Sequence, residues 1–227
     1  MKPVIGIPLR YQKLVDNRAI VYLSERLRRT VQLAGGFVYS ISPVQNLDNI
    51  HTKGNEFPEL SDSEKEDINI SLDMCDGIIF PGGIKFTPYD RYLFEMAIEK
   101  KIPVLGICLG MQEIGYYFNK KKIKPLKSLD HFDMNKDYLH TINLNKKGYL
   151  YSLLNKETIP VNSRHKYHLL ENRHYTIEAT CNNIIEAIKV KNKKYIIGLQ
   201  FHPEIMYYYD DNAKIIFDDF FNQLSKN

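Results

Sequence analysis

The stretch Gly106-Ile-Cys-Leu-Gly110 sets a cysteine between two glycines directly after the apolar run Ile102-Pro-Val-Leu105. Small residues on either side of a nucleophile let the chain turn sharply from strand into helix, the logic of the Gly-x-Ser-x-Gly elbow of serine hydrolases. A side chain at such a turn stands above the sheet edge with a helix N-terminus beneath it, where unpaired N–H groups and the helix dipole favour an anion. Cys108 is therefore a candidate nucleophile. The competing reading of the pentapeptide taken alone is a small buried hydrophobe at a strand-to-helix junction. Cys75 and Cys181 lack the glycine frame and read as structural residues.

A thiol nucleophile needs a base, and the base needs a group that fixes its tautomer. The segment Gly198-Leu-Gln-Phe-His-Pro-Glu204 supplies both. His202 and Glu204 lie two apart, so in an extended backbone they project to the same side, and Pro203 stiffens the link. The third element is Pro81-Gly82-Gly83, directly after the apolar run Gly77–Phe80. Glycines there let an N–H of Gly82 or Gly83 turn toward a reacting carbonyl, and the N–H of Leu109 offers a second donor. Together they would form an oxyanion hole, in which one donor is worth about 3 kcal/mol of transition-state stabilisation. Each signal is weak alone. Jointly, each at the end of an expected strand, they point to acyl transfer.

The elements that must position these residues read as an α/β pattern. Val4–Leu9 is an expected strand. Arg18–Ala34 carries Val21, Leu23, Leu27, Val31 and Ala34 mostly at helical spacing and stops at Gly35-Gly36. Phe37–Ser42 is a strand closed by Pro43, and the polar segment Gln45–Asp73 is a surface excursion with a short helix over Ser63–Leu72. Asp76–Phe80 is a buried strand. Thr87 and Pro88 provide an N-cap and first helical position for a helix with Leu93, Met96 and Ala97 on one stripe. Ile102–Ile107 is a strand followed by a helix from Cys108 to Phe118. Beyond Asn119 come shorter strands, His140–Leu144, Thr158–Asn162, Tyr175–Thr180, Ile184–Val190 and Lys194–Phe201, expected to add antiparallel pairs, and a closing helix over Asn212–Leu224.

A chain of 227 residues with 44% hydrophobic residues can bury one substantial core, so residues 1–227 are expected to form a single domain. The balance of 31 basic against 27 acidic side chains, with small clusters such as Lys120–Lys122 beside polar turns, is too mild for a nucleic-acid footprint. No apolar run approaches the roughly 20 residues of a membrane span, and the start Met1-Lys-Pro-Val4 leads into no signal-peptide core. Three cysteines without a Cys-x-x-Cys pair point to a reducing compartment. The expectation is a cytoplasmic protein with neither membrane nor nucleic-acid partner.

The stretches Asp76–Gly83, Ile102–Gln112, Val161–His165, Ile184–Val190 and Ile196–Glu204 resemble class I glutamine amidotransferase-like hydrolases, specifically the gamma-glutamyl-gamma-aminobutyrate hydrolase branch of peptidase family C26. Ile5–Pro8 and Leu33–Pro43 are similar to the same branch. The resemblance implies a flavodoxin-like, mostly parallel central sheet flanked by helices, with antiparallel strands added in the C-terminal half. It implies a triad of Cys108, His202 and Glu204. It further implies that Gln112, one helical turn beyond the nucleophile, contacts the glutamyl part of a substrate, and that Asn162, Ser163 and His165 lie beside the pocket. Two departures stand out. Tyr167 replaces a glutamine frequent in the family, and Pro81-Gly-Gly83 runs through Ile84–Asp90 almost directly into the next helix, where many relatives carry a Gly-Asp-Val-Asp-Pro loop.

The activity so implied is hydrolysis of a small gamma-glutamyl amide through a thioester, requiring no metal or organic cofactor, with a homodimer as the family expectation. The alternative is a glutaminase component that delivers ammonia to a synthetase partner. A non-catalytic binding protein would usually have lost one of the triad residues, and all three are present.

Overall fold

The computed structural model describes residues 1–16, 18–45, 47, 58–119, 122–127 and 130–224. Most of the expected excursion between Gln45 and the helix after it, together with Lys120 and Lys121 of the small basic cluster, lies outside the described residues.

The chain opens with strand β1 (Val4–Pro8), then a hairpin of β2 (Arg10–Lys13) and β3 (Ala19–Tyr22), helix α1 (Glu25–Leu33) and strand β4 (Phe37–Ile41). Helix α2 (Asp62–Asp73), strand β5 (Gly77–Phe80), helix α3 (Pro88–Glu99), strand β6 (Val104–Ile107) and helix α4 (Leu109–Phe118) complete the alternating part. There follow β7 (Lys124–Pro125), β8 (His140–Leu144), α5 (Tyr149–Leu154), β9 (Thr158–Val161), β10 (Tyr167–His168), β11 (Tyr175–Cys181), β12 (Ile184–Val190), β13 (Ile196–Leu199), α6 (Pro203–Met206) and α7 (Asp211–Leu224).

One sheet runs in the order β4-β1-β5-β6-β13-β12-β11-β8-β9. Its first five strands are parallel neighbours, and β12, β11, β8 and β9 extend it antiparallel. The expected architecture is thus present, a parallel α/β half with antiparallel additions from the C-terminal half. β13 crosses back to pair with β6, with Ile107 opposite Leu199.

Alternation along the central strands sorts side chains onto two buried faces. Ile79, Leu105, Ile107, Ile197 and Leu199 face α1, α5 and α7. Ile78, Phe80, Val104 and Ile196 face α2, α3 and α4. Both faces being covered explains why these strands read as continuous apolar runs.

Two glycines bring α4 close to the sheet. Gly106 and Gly198 are register partners in β6 and β13. A Cβ on Gly106 would sit 2.6 Å from Ile114 Cδ1 and 2.8 Å from the Gly110 carbonyl carbon, and one on Gly198 would sit 2.8 Å from Met111 Cγ. Real Cβ atoms do not come so near, so the bare pair is what lets Met111 and Ile114 seat against the strands.

The helix expected over Arg18–Ala34 is corrected in its first half. Ala19–Tyr22 forms β3, paired antiparallel with β2, and α1 starts only after Ser24. Ile20, Val21 and Tyr22 are exposed, β-favouring side chains, so the apparent apolar stripe there reflects a hairpin rather than a helix face. The stop at the glycines holds, with Gly35 at φ 97°. Thr87 caps α3 in a reciprocal box with Asp90, with Pro88 at the first helical position, as expected.

Candidate active site

Three adjacent parallel strands, β5, β6 and β13, deliver the three segments singled out by their chemistry. Pro81-Gly82-Gly83 leaves the end of β5, Cys108 follows β6 directly, and His202 lies three residues beyond β13. Cys108 N–H donates to the Leu199 carbonyl at 2.7 Å, tying the elbow to the strand that carries the histidine. This is the carboxyl edge of the parallel half, where open α/β sheets place their ligands.

Cys108 adopts φ 52° and ψ −101°, a left-handed backbone for a non-glycine residue. Such conformations cost on the order of 1–3 kcal/mol and persist where surrounding structure over-determines them. Here Gly110 packs its Cα against the Phe80 carbonyl of β5 so tightly that no side chain fits, and Gly106 abuts Gly110 from below. The turn is forced by close packing of backbone on both sides, which only the two glycines permit. The first-turn N–H groups of α4, Leu109 among them, have no intrahelical acceptor, and the Cys108 side chain does not cap them. They are available to an oxygen in front of the cysteine.

His202 Nδ1 lies 2.8 Å from Glu204 Oε1, and the ring and the Cys108 side chain both come against Gly82. The extended geometry expected for His202–Glu204 is corrected. Pro203 and Glu204 open the short helix α6, with His202 at its N-cap, φ −109° and ψ 82°. The carboxylate meets the ring because proline starts a helical turn there, and Thr30 Oγ1 donates to the Glu204 carbonyl at 3.0 Å, fixing that turn to α1. Burial alone would lower the His202 pKa, but the neighbouring Glu204 and Cys108 charges and hydrogen bonds to both raise it to about 10. The ring is held at Nδ1 by the carboxylate and stands near Cys108, both side chains approaching Gly82.

A Cβ on Gly82 would lie 2.9 Å from His202 Cε1 and 3.6 Å from Cys108 Cβ; one on Gly83 would lie 2.8 Å from Leu109 Cδ2. The glycine turn thus lies against both candidate reacting side chains and beside the start of α4.

The remaining expected residues are interior. Asn162 is fully buried and clamps the His202 backbone: its Oδ1 accepts from His202 N–H at 2.8 Å, and its Nδ2 donates to the His202 carbonyl at 3.0 Å. Ser163 Oγ donates to the His131 carbonyl at 2.7 Å. Gln112 Nε2 donates to the Tyr167 carbonyl at 3.0 Å and to Gln200 Oε1 at 3.2 Å. His165, 3% exposed, faces Glu186. All four are buried in the framework around the candidate triad.

Sequence reasoning missed the group that holds the glycine turn. Arg10, buried just after β1, donates from Nε to the Gly82 carbonyl at 3.1 Å and from one terminal nitrogen to the Pro81 carbonyl at 2.6 Å, and pairs with Asp90 at 2.6 Å. Glu113 on α4, 1% exposed, is held well above the usual carboxylate range by burial and then by Asp90. An arginine at the end of an apolar strand was the one available signal.

Comparison with known proteins agrees with this fold. The peptidase C26 family model matches residues 87–204, just over half of the chain. The chain is 28% identical over 204 residues to the CTP synthase of Thermosipho africanus, a match covering 70% of this chain and 38% of that one. Among solved structures, a protein described as a GMP synthase subunit from Thermoplasma acidophilum superposes with a TM-score of 0.68 at 16% identity, covering 99% of this chain and 96% of that one. The glutaminase domain of CTP synthase from Trypanosoma brucei, solved with bound acivicin, gives 0.62 at 17%, covering 100% and 95%. The fold is that of the class I glutamine amidotransferases. Within it, the chain belongs to the Peptidase C26 family, a family of amide-bond hydrolases. It spans less than half the length of the CTP synthases it matches.

Proposed function

We propose that the chain hydrolyses a gamma-glutamyl amide by a Cys108 thioester mechanism, and that glutamine is its substrate, with ammonia as the leaving group. The observation that carries the proposal is the convergence of Cys108, a His202–Glu204 pair and the Pro81–Gly83 turn at the ends of three neighbouring strands. His202, oriented by Glu204, takes the thiol proton of Cys108. The sulfur attacks the gamma-carbonyl, and N–H groups of Gly82 or Gly83 and of Leu109 hold the oxyanion. The imidazolium returns its proton to the departing amine. Water, deprotonated by the same ring, then cleaves the thioester to glutamate. Arg10 and Asn162 serve as positioning residues for the turn and the base. In this reading Gln112, Ser163 and His165 hold the framework around the glutamyl pocket. Ammonia would pass to a synthetase partner, a reading favoured by relatives named CTP synthase and GMP synthase.

The second reading, a free-standing hydrolase of a substituted gamma-glutamyl amine such as gamma-glutamyl-gamma-aminobutyrate, is favoured by the peptidase C26 match itself. The two readings differ at the amine side of the pocket, where Ile84–Phe86 makes a short connection into α3. We place the protein in a reducing compartment, the reading suggested by three cysteines without a Cys-x-x-Cys pair. Among the described residues no helix is long and apolar enough to cross a membrane.

Glutamate release from glutamine and from a panel of substituted gamma-glutamyl amines, run beside Cys108→Ala, tests both. Cysteine-dependent release from glutamine alone, stimulated by a synthetase, supports the first. Release confined to substituted amides moves the assignment to the second. Undiminished release by Cys108→Ala overturns the mechanism.

A further inference from the structure

Behind the triad lies a second cluster of chemistry-bearing side chains that the proposed reaction does not use. Glu186 on β12 is fully buried, and its Oε1 is approached by three imidazole nitrogens: His131 Nδ1 at 2.9 Å, His165 Nε2 at 3.4 Å and His140 Nε2 at 3.6 Å. The His131 ring centroid is 4.5 Å from that of His140 and 5.0 Å from that of His165. Close as they are, these groups are not aligned as hydrogen bonds. Among the described residues, both Glu186 oxygens, His131 Nδ1, both His140 ring nitrogens and His165 Nε2 are buried without a hydrogen-bond partner. Buried polar atoms in native proteins are nearly always partnered, so such a concentration calls for a physical cause.

The spacing suggests one. A tetrahedral zinc-type ion with ligand bonds of about 2.0–2.1 Å has its ligand atoms roughly 3.3 Å apart. The three distances around Glu186 Oε1 bracket that edge length. One ligand atom each from His131, His165 and Glu186 lies within 4.8 Å of the others, and the same holds for His131, His140 and Cys181. Imidazole nitrogen with a carboxylate oxygen is a donor set suited to zinc or a neighbouring first-row divalent ion, and poorly suited to magnesium or calcium, which take oxygen ligands.

We propose that His131, His165 and Glu186 form a structural binding site for a zinc-class divalent ion. Its place in the fold gives it a role. His165 N–H donates to the His131 carbonyl at 3.0 Å, Asp133 N–H to the Ser163 carbonyl at 3.1 Å, and Ser163 Oγ to the His131 carbonyl. Two of the ligand-bearing segments are therefore already stitched together, and Asn162, next to Ser163, is the residue that grips His202. An ion bound here would pin that platform without touching the reacting atoms.

The test uses untagged, metal-stripped protein carrying Cys108→Ala, so that the triad thiol does not itself capture metal. After incubation with zinc chloride and desalting, metal content is read by elemental analysis. About one zinc per chain is expected, with His131→Gln and His165→Gln each lowering retention at least tenfold at the same free zinc while far-UV circular dichroism is unchanged. Should either variant fail to fold, the Cys108→Ala protein decides alone, through a melting temperature that rises with zinc and saturates at one equivalent. Absence of stoichiometric zinc or of that rise overturns the proposal, as does retention by folded His131→Gln and His165→Gln proteins equal to that of the Cys108→Ala protein.

Discussion

The side chain of Asn162 holds the backbone of His202 at both of its polar groups, accepting from its N–H at 2.8 Å and donating to its carbonyl at 3.0 Å. A planar amide is the side chain that can do both at once. The clamp fixes where β13 ends and therefore where the candidate base stands relative to Cys108. Replacing Asn162 by Ala leaves the His202 N–H unpaired and its carbonyl with only the Ile205 N–H at 3.2 Å, and should destabilise the fold by roughly 1–3 kcal/mol. Because misplacement of a reacting group by about 1 Å costs on the order of 10²-fold in rate, kcat for glutamate release should fall by about that factor with KM little changed. Steady-state kinetics with a urea melt separate the two effects, and an unchanged kcat would remove Asn162 from the machinery.

Gly82 is predicted to tolerate no side chain. Its would-be Cβ lies 2.9 Å from His202 Cε1, and the ring has little freedom to retreat, with Glu204 on Nδ1 and the Asn162 clamp behind it. Gly82→Ala should therefore shift the ring and lower kcat by about 10²-fold or more, while the melting temperature stays within a few degrees because the clash is at the surface of the sheet edge. Equal kcat in the alanine variant would show the turn to be farther from the ring than described.

Much of this was legible in the sequence, for identifiable reasons. Both faces of the parallel strands are buried, so Gly77–Phe80 and Val104–Ile107 stand out as short apolar runs, and Thr87-Pro88 with Asp90 marks a helix start by local chemistry alone. The glycine frame of Cys108 was readable because the tight turn requires it at fixed spacing. Other features depend on contacts distant in sequence. Arg10 meets the glycine turn across 72 residues and Asp90 across 80. Glu186 gathers histidines from three separate segments. The strand Ala19–Tyr22 falls inside the helix expected over Arg18–Ala34 because its exposed apolar residues mimic a helical stripe over a few positions, and the His202–Glu204 pairing rests on a helical turn rather than on extended backbone.

Arg10 should govern the turn through geometry rather than charge. Its guanidinium spans the Pro81 and Gly82 carbonyls and Asp90 simultaneously, a forked pattern that a lysine ammonium does not reproduce. Arg10→Lys keeps the charge beside Asp90 and loses the fork, so the donors facing the developing oxyanion lose their fixed orientation. A loss of up to about 10²-fold in kcat is expected, the lower end of what one oxyanion donor contributes. A variant with native kcat would show that the turn holds itself.

Glu113 offers a gain rather than a loss. Held neutral by burial and by Asp90, it keeps a proton in the folded state that the unfolded chain releases above its ordinary value near 4.5. The native state then binds more protons, so stability declines as pH rises through that unfolded value. Glutamine is isosteric with the protonated acid and carries no such penalty. Glu113→Gln should raise the melting temperature at about pH 8 and change it little at about pH 4. Equal shifts at both would mean the carboxyl is ionised in the fold.

The opposite sign of group reports on the triad itself. His202 is raised to about 10 in the folded state, against about 6.5 for an unperturbed histidine. A base raised in this way contributes stability that is complete below its unfolded pKa and is lost as pH climbs through the window from about 6.5 to about 10. The melting temperature of the parent protein should therefore exceed that of His202→Gln by most near pH 6, with the gap narrowing steadily toward pH 10. Glu204→Gln removes a neighbouring charge that holds the proton, so the His202 ring, followed by its proton NMR signal, should titrate at lower pH in that variant. A gap in melting temperature that stays constant across the window would mean that His202 is not carrying a proton between Glu204 and Cys108, and the thiol would need another acceptor.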